Sequence, residues 1–484
     1  MARHFPVCST SDEFHFFPQL SSSVIDWSLW DDFSSGSVEQ TTAAFGQWLR
    51  DLDGCDLAAE TPADRIDIEM LKRVMSTLSE QLDLVAPQAS QPTFYLTVLA
   101  IGLDEARQAG APALQSRGEG VPEFLGAACR NLNAMPELFR DMGVDMARRL
   151  KSWLLRNGEN GSWTAAASAA LDTFEACLRR AAVSDRLLLP SDLYQRVAQR
   201  HMGCDMSIDE IAWHLDCEIR EATDLLRRSA AELDPGSSWQ EVLARQPCPA
   251  IPSGGAARFF ENLIDELAGH CLQHGFFQCD LPSDFPVSVK GVPDFYSPVR
   301  GNAAYSLAAT DPPSGGTFFF ANRAIPADVR LLTAHETYPG HHLLDTHRWN
   351  SKRPVRRHIE FPIFYEGWAS FSEELLFDTG FFSGPLDTLM IGKRRFWRAV
   401  RGRLDLALQT GERDIDGAIE HLVDLGRDPG PAEAMVKRYL LKPGYQLSYT
   451  IGRHRFRTLY RKYEDASDFV RTLMAAGEIG FDHL

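Results

Sequence analysis

The chain has no apolar run approaching the eighteen residues of a membrane-spanning helix, so a helical membrane protein is excluded. It has no Cys-x-x-Cys pair. Its nine cysteines (Cys8, Cys55, Cys129, Cys177, Cys204, Cys217, Cys248, Cys271 and Cys279) are scattered and odd in number. That spacing speaks against a cysteine zinc site and against a disulfide framework, and reduced, mostly buried thiols in a cytoplasmic protein are expected. Basic residues are in deficit: 49 Lys and Arg face 66 Asp and Glu, a net charge of −17. Phosphate binding needs a basic surface, so nucleic acid and anionic membranes are excluded as partners. No Gly-x-Gly-x-x-Gly opens a helix, and neither a phosphate-binding loop nor Gly-x-Ser-x-Gly is present, so nucleotide binding and serine hydrolysis have no support. The opening MARHFPVCSTSDEF shows no apolar stretch behind a charged one, and no signal peptide is expected.

What is present is a helical texture over 484 residues, with 44% hydrophobic and 24% charged residues, the balance of an ordinary globular enzyme. Thr61 and Pro62 read as an N-cap followed by proline at the first helical position. Ile66, Ile68, Leu71, Val74, Leu78 and Leu82 then mark an apolar stripe. Further helices are expected near 93–110, 122–133, 136–157, 162–183, 190–201 and 258–274. The Pro- and Gly-rich stretch 247–256 suggests a boundary between an N-terminal helical subdomain, 1–250, and a metal-binding catalytic subdomain, 251–484, within one continuous fold. Prolines at 282, 286, 293, 298, 312 and 313 interrupt helix between 280 and 325, where Gly316–Asn322 reads as a short strand. The segment Asp205–Cys217 resembles the first half of a helix-turn-helix. Glu218 and Glu221 open the following helix and would repel phosphates, so two packed helices are expected there instead.

The richest segment is His335-Glu336-Thr337-Tyr338-Pro339-Gly340-His341-His342, followed by Tyr365-Glu366-Gly367-Trp368. A His-Glu pair on a helix begins many zinc hydrolase sites, the His binding metal and the Glu serving as general base. The second ligand normally stands four residues after the first. That position is Pro339, which has no ligand atom. A proline inside a helix removes a hydrogen bond and clashes with the carbonyl four residues back, here that of His335. Gly340 adds backbone freedom. A kink or bulge is therefore expected, and it would return His341 to the face of His335; His342, at spacing seven, is the alternative ligand. Glu366 is the expected third ligand, leaving one position for water. The run 361–377 reads as a helix with Glu366, Ser370 and Glu373 on one face, so Glu373 is placed to orient a ligating imidazole.

HETYPGHH followed by EGWASFSEEL resembles the DUF885 family, bacterial proteins that look like zinc metallopeptidases of the gluzincin type. Its pattern, His-Glu-x-x-Pro-Gly-His and then Glu-Gly-Trp-Ala, is matched by His335, Glu336, Pro339, Gly340, His341, Glu366, Gly367, Trp368 and Ala369. A later family segment, Pro-Gly-Gln-Ala-x-Ser-Tyr-x-x-Gly, is matched by Pro443, Gly444, Ser448, Tyr449 and Gly452, with departures at Tyr445 and Gln446. A segment that usually reads Asp-Thr-Gly-x-His is here Gln409-Thr410-Gly411-Glu412-Arg413, without its Asp and His. The resemblance implies two His ligands from the His-Glu helix, a Glu ligand from a following helix, and an edge strand beside the metal that pairs with substrate. It also implies Tyr449 as the neutral donor to the oxyanion, with Tyr338, Tyr365 and Tyr445 as alternatives.

These readings converge on a mainly α-helical, metallopeptidase-like fold with a small sheet beside a deep central cleft. The expected activity is hydrolysis of amide bonds in short peptides by one Zn2+ per chain, with Glu336 as general base on a zinc-bound water. The alternatives are a metallohydrolase of a non-peptide amide or modified amino acid, and a metal-binding protein without catalysis. The basic run Lys393, Arg394, Arg395, Arg398, Arg401 and Arg403 is expected to be mostly solvated or paired. Arg398 and Arg401 share a face by spacing three and are candidates to clamp a substrate carboxylate, as are Arg453 and His454 beyond Tyr449.

Overall fold

The computed structural model describes residues 1–11, 13–20, 24–157, 162–249, 251, 255–278, 281–292, 303–307, 314–321 and 325–484. It is mainly helical, as the sequence pattern requires. Two compact units divide the chain, one built on Met1–Leu187 and the other on Leu188–Gly291 and Ser314–Leu484. The chain first changes unit at Leu187–Leu188, and the described part of the Pro- and Gly-rich stretch 247–256 lies inside the second unit.

The first unit is a set of long helices, among them Pro62–Glu80, Pro92–Ala109, Ala111–Asn131, Glu137–Asn157 and Ser162–Arg180. Thr61 caps the first of these, its side chain accepting from the Asp64 amide. Phe33, Tyr95, Leu96, Val121, Phe124, Phe174 and Leu178 fill the core. Pro122 lies inside a helix that begins at Ala111 and does not start one near 122. The buried Val121, Phe124 and Leu125 on that helix outweigh the lost hydrogen bond, a tertiary override of local preference. Strands β1 (Ala134–Met135) and β2 (Ala182–Val183) form a short parallel pair.

In the second unit the capping box of Ser207 and Glu210 starts one unbroken helix, Ile208–Leu233. The expected turn near Cys217 does not exist, so this segment is neither two packed helices nor a helix-turn-helix. The helix packs along Pro385–Gln409, and Pro362–Asp378 packs along Leu447–Tyr460. Strands β3 (Val287–Gly291), β4 (Ala304–Leu307) and β5 (Gly316–Phe320) form a sheet in the order β3-β5-β4, with β5 parallel to β3 and antiparallel to β4. The predicted strand is thus β5, while Asn322 lies outside the described residues. β5 is central: its hydrogen-bonding edges are taken by its neighbours, so it is not the substrate-pairing edge strand expected above. Its Phe318 is fully buried, and Phe318 and Phe320 pack on Phe260 of the helix Gly255–Gln273.

Among the described residues no helix is long and apolar enough to cross a membrane. The eight described cysteines form no disulfide; Cys279 lies outside the described residues.

Candidate metal centre

The helix Val329–Glu336 carries His335 and Glu336 in its last turn and stops there. A new helix, His341–Trp349, starts after a gap of four residues, so the expected kink is a complete break. The Tyr338–Pro339 peptide is cis, and the Gly340 amide folds back to donate to the Ala334 carbonyl at 3.1 Å. A Cβ at 340 would stand 1.8 Å from the His335 carbonyl oxygen, so only glycine fits this close return. The Trp368 indole donates to the Pro339 carbonyl at 2.9 Å, which ties the Glu-Gly-Trp segment to the Pro-Gly break.

The helix Pro362–Asp378 is buried on all sides from Pro362 to Leu376. Burying a charge is costly unless it is paired, so each of its glutamates has to find partners within the protein. Glu366 faces the two imidazoles: its Oε2 lies 3.4 Å from His335 Nε2 and 3.6 Å from His341 Nε2. The three ligand-type atoms all lie within 4.8 Å of one another. A tetrahedral zinc with bonds of roughly 2.0–2.1 Å needs ligand atoms about 3.3 Å apart, which the two contacts of Glu366 approach. Glu366 Oε2 and His341 Nδ1 are buried and accept or donate no hydrogen bond among the described residues, which is unusual for such groups. Burial alone would raise the Glu366 carboxyl, but His335 and His341 hold it well below the usual carboxylate range.

A supporting layer orients the trio. Glu373 Oε1 lies 3.0 Å from His335 Nδ1, so it can hold the proton on that nitrogen and leave Nε2 free as a ligand. Arg398 and Arg394 both fork onto Glu373, at 2.7–3.0 Å; the Arg398 guanidinium also stands 3.2 Å from His335 Nδ1, a donor beside a donor once that nitrogen carries the proton, so its support of the histidine runs through Glu373. Burial opposes ionisation of Glu373, and Arg394 and Arg398 overcome it. On the other side of Glu366, Tyr445 and Tyr449 both donate to Oε1, at 2.6 and 2.8 Å. Burial and the Glu366 charge raise the Tyr449 phenol, which keeps it protonated. Two glycines allow this arrangement: a Cβ on Gly367 would stand 2.4 Å from Gly452 Cα, so the two helix backbones touch directly and Tyr449 comes beside Glu366.

The remaining sequence candidates fall elsewhere. Glu336 is buried next to His335 at the end of its helix. His342 is not part of the trio: Nδ1 faces the Tyr305 hydroxyl at 3.1 Å, and Nε2 faces the Phe285 carbonyl at 3.0 Å and the Tyr338 hydroxyl at 3.1 Å. Burial pushes its imidazole down to about 3, so it is neutral. Tyr365 stacks on His341, ring centres 4.0 Å apart, and donates to Asp345. Arg398, read as a substrate clamp, is held by Glu373. Arg453 is buried in ion pairs with Glu374 and Glu218, and the His454 ring lies against His214, so the structure does not turn these two toward the trio. Sequence reasoning named Arg394 only within the basic run and Trp368 only as a family match, and gave neither its role at the site. Only the first had a signal, its spacing of four from Arg398 on one helix face.

A helical protein with two histidines and a glutamate converging from three helices is the class that fold and site define. The chain belongs to the DUF885 family, described as "Bacterial protein of unknown function", whose model matches residues 24–484. No curated protein matches it. Two solved structures share the fold, each described as a "putative lipoprotein". The one from Colwellia psychrerythraea has a TM-score of 0.78 at 14% identity, covering 97% of this chain and 94% of its own. The other, from Shewanella oneidensis and "of unknown function", has a TM-score of 0.72 at 16% identity, covering 95% and 93%. These descriptions overturn the cytoplasmic location expected from the sequence.

Proposed function

We propose that this protein is a zinc-dependent hydrolase of the gluzincin type, cleaving amide bonds of short peptides. The observation that carries the reading is the trio His335, His341 and Glu366, with the buried Glu366 Oε2 left without a hydrogen bond between the two imidazoles and a carboxylate behind His335 placed to set its tautomer. Two nitrogens and one carboxylate oxygen are the donor set that suits zinc with a position left open. A bound Zn2+ lowers the pKa of a coordinated water to about 7 and polarises a carbonyl. Glu336 then takes the proton of the attacking water and returns it to the leaving amine. Tyr449, kept protonated, is the neutral donor to the developing oxyanion, and Tyr445, on the same carboxylate oxygen, is its neighbour in that task.

Elemental analysis of wild type and His335→Ala, together with mass spectrometry of a short-peptide library, tests this. About one zinc per chain is expected in wild type and little in the variant; equal metal in both sinks the assignment. Glu336→Gln should keep its zinc and lose roughly 10²–10⁴ in rate, the usual contribution of a general base. Zinc retained with no peptide cleaved by wild type would transfer the reading to a non-peptide amide or modified amino acid.

A further inference from the structure

The helix Pro385–Gln409 carries six basic residues between 393 and 403, and the structure pairs all but one of them with acids. Lys393 and Arg394 hold Asp328, Arg394 and Arg398 hold Glu373, Arg395 holds Glu218 and Glu221, and Arg403 holds Asp216 and Glu412. Arg401 has no carboxylate among the described residues, and its buried Nε donates to nothing. Its guanidinium lies over the ring of Tyr449, 4.9 Å from the centre, and that ring stacks toward His335 with centres 6.5 Å apart. A second cation joins it. Arg427 lies 3.8 Å over the ring of Trp397, one helical turn before Arg401 on the same face, and its buried Nε also donates to nothing. The nearby carboxylate, Asp328, is already held by Lys393 and Arg394. The buried hydroxyl of Tyr439, on the helix Pro429–Leu441, is likewise without a hydrogen-bond partner, and the charges of both arginines act on it.

Two guanidiniums and a phenol, each with a donor that lacks an acceptor, stand beside a tyrosine that touches a candidate ligand. Buried donors are rarely left so, and like charges are not gathered without an anion to hold. We propose that Arg401, Arg427 and Tyr439 form an anion subsite that takes the free carboxylate at the C-terminal end of the substrate. The proposal rests on the amide-hydrolase reading above and adds polarity to it: the bond presented for cleavage is near the C-terminal end of a short peptide. The fork of an arginine fits a carboxylate with two parallel hydrogen bonds. Arg401 lies 4.9 Å and His335 6.5 Å from the centre of the Tyr449 ring, so at roughly 3.3–3.6 Å per extended residue the subsite stands within about three residues' reach of the trio.

The test is calorimetric binding of N-acetylated di- and tripeptides to zinc-loaded Glu336→Gln protein, each peptide with a free or an amidated C-terminus. Free carboxylates are expected to bind roughly tenfold to a hundredfold more tightly than their amides, the worth of hydrogen bonds to a charged group. Arg427→Gln, added to that protein, should erase the preference, and Arg401→Gln likewise; Arg427→Lys should restore part of it, with circular dichroism confirming the fold of each. Equal binding of free and amidated peptides, or no binding of either, overturns the proposal. Competition by inorganic phosphate but not by acetate would overturn it too, by assigning the subsite to phosphate. Carboxylate preference without hydrolysis by wild type would sustain the subsite and defeat the hydrolase reading, whereas hydrolysis of both forms at equal rates would do the reverse.

Discussion

Adjacent residues can serve opposite purposes, and His341 and His342 are the case here. His341 offers Nε2 to the Glu366 carboxylate and leaves Nδ1 without a hydrogen bond, whereas both nitrogens of His342 face oxygens of Tyr305, Phe285 and Tyr338. His341→Ala should therefore abolish zinc binding while His342→Ala keeps it and loses about 1–3 kcal/mol of stability, the cost of leaving buried partners unmet; metal analysis and urea titration of the two variants check this. The sequence left the choice open because helical geometry favours spacing seven, and only the complete break at Thr337–Gly340 changes which histidine turns inward. Asp405 offers a second residue-scale test. It accepts the amides of Gly444 and Gln446, both at 3.1 Å, and so fixes the turn that launches the tyrosine helix. Burial raises its carboxyl to about 7, the two hydrogen bonds opposing. The folded state then binds a proton that the unfolded state, with its ordinary value near 3.9, releases earlier. The stability from this residue is fully present below about pH 4 and falls as pH rises toward about 7. Asp405→Asn should flatten that part of a stability-versus-pH curve measured by chemical unfolding; an unchanged slope would remove Asp405 as its source.

At the scale of elements, the helices were legible and their contacts were not. Periodic apolar residues and caps gave Pro62–Glu80, Pro92–Ala109, Glu137–Asn157, Ser162–Arg180 and Pro362–Asp378, since local pattern and tertiary burial agree there, but not Ser35–Asp53 or the start of Ala111–Asn131. The unbroken helix Ile208–Leu233 was misread because a polar segment around His214 and Cys217 resembles a turn, although its buried Ile211, Leu215, Ala222 and Leu226 run through without a gap. The order β3-β5-β4 was invisible because its strands are four or five residues long and pair across long stretches of chain. Gly367 and Gly452 were read as family markers, yet their work is spatial: a Cβ on Gly452 would stand 2.0 Å from the Ile363 carbonyl oxygen, a backbone atom that cannot step aside. Gly452→Ala should separate the two helices, cost roughly 1–3 kcal/mol or more as overpacking does, and weaken zinc binding by moving Tyr449 and Glu366 apart. A crystal structure of the variant with the helix spacing unchanged would refute this.

Across the whole molecule, composition was informative about class and silent about address. The lack of long apolar runs bears on membrane-spanning helices alone, and the lipoprotein descriptions of the two fold relatives concern a different property. The division at Leu187–Leu188 carries no Pro- or Gly-rich marker because it is drawn by which distant residues touch, and helices end and restart in many other places. The break at Pro339–Gly340 has one more consequence. In a spacing-four motif both imidazoles ride on one helix, and a metal joins two elements. Here His335, His341 and Glu366 stand on three. A zinc at this point is therefore a topological clasp, closing one short and one longer loop of chain and binding the folded form alone. Ligand linkage at a thousandfold excess over Kd is worth about 4 kcal/mol, so chelation should lower the melting temperature by about 4 °C in scanning calorimetry, and the same treatment should leave His335→Ala unmoved. The proline that hides the motif from a search for its usual spacing would thus make the metal a fastening of the fold as well as a reagent.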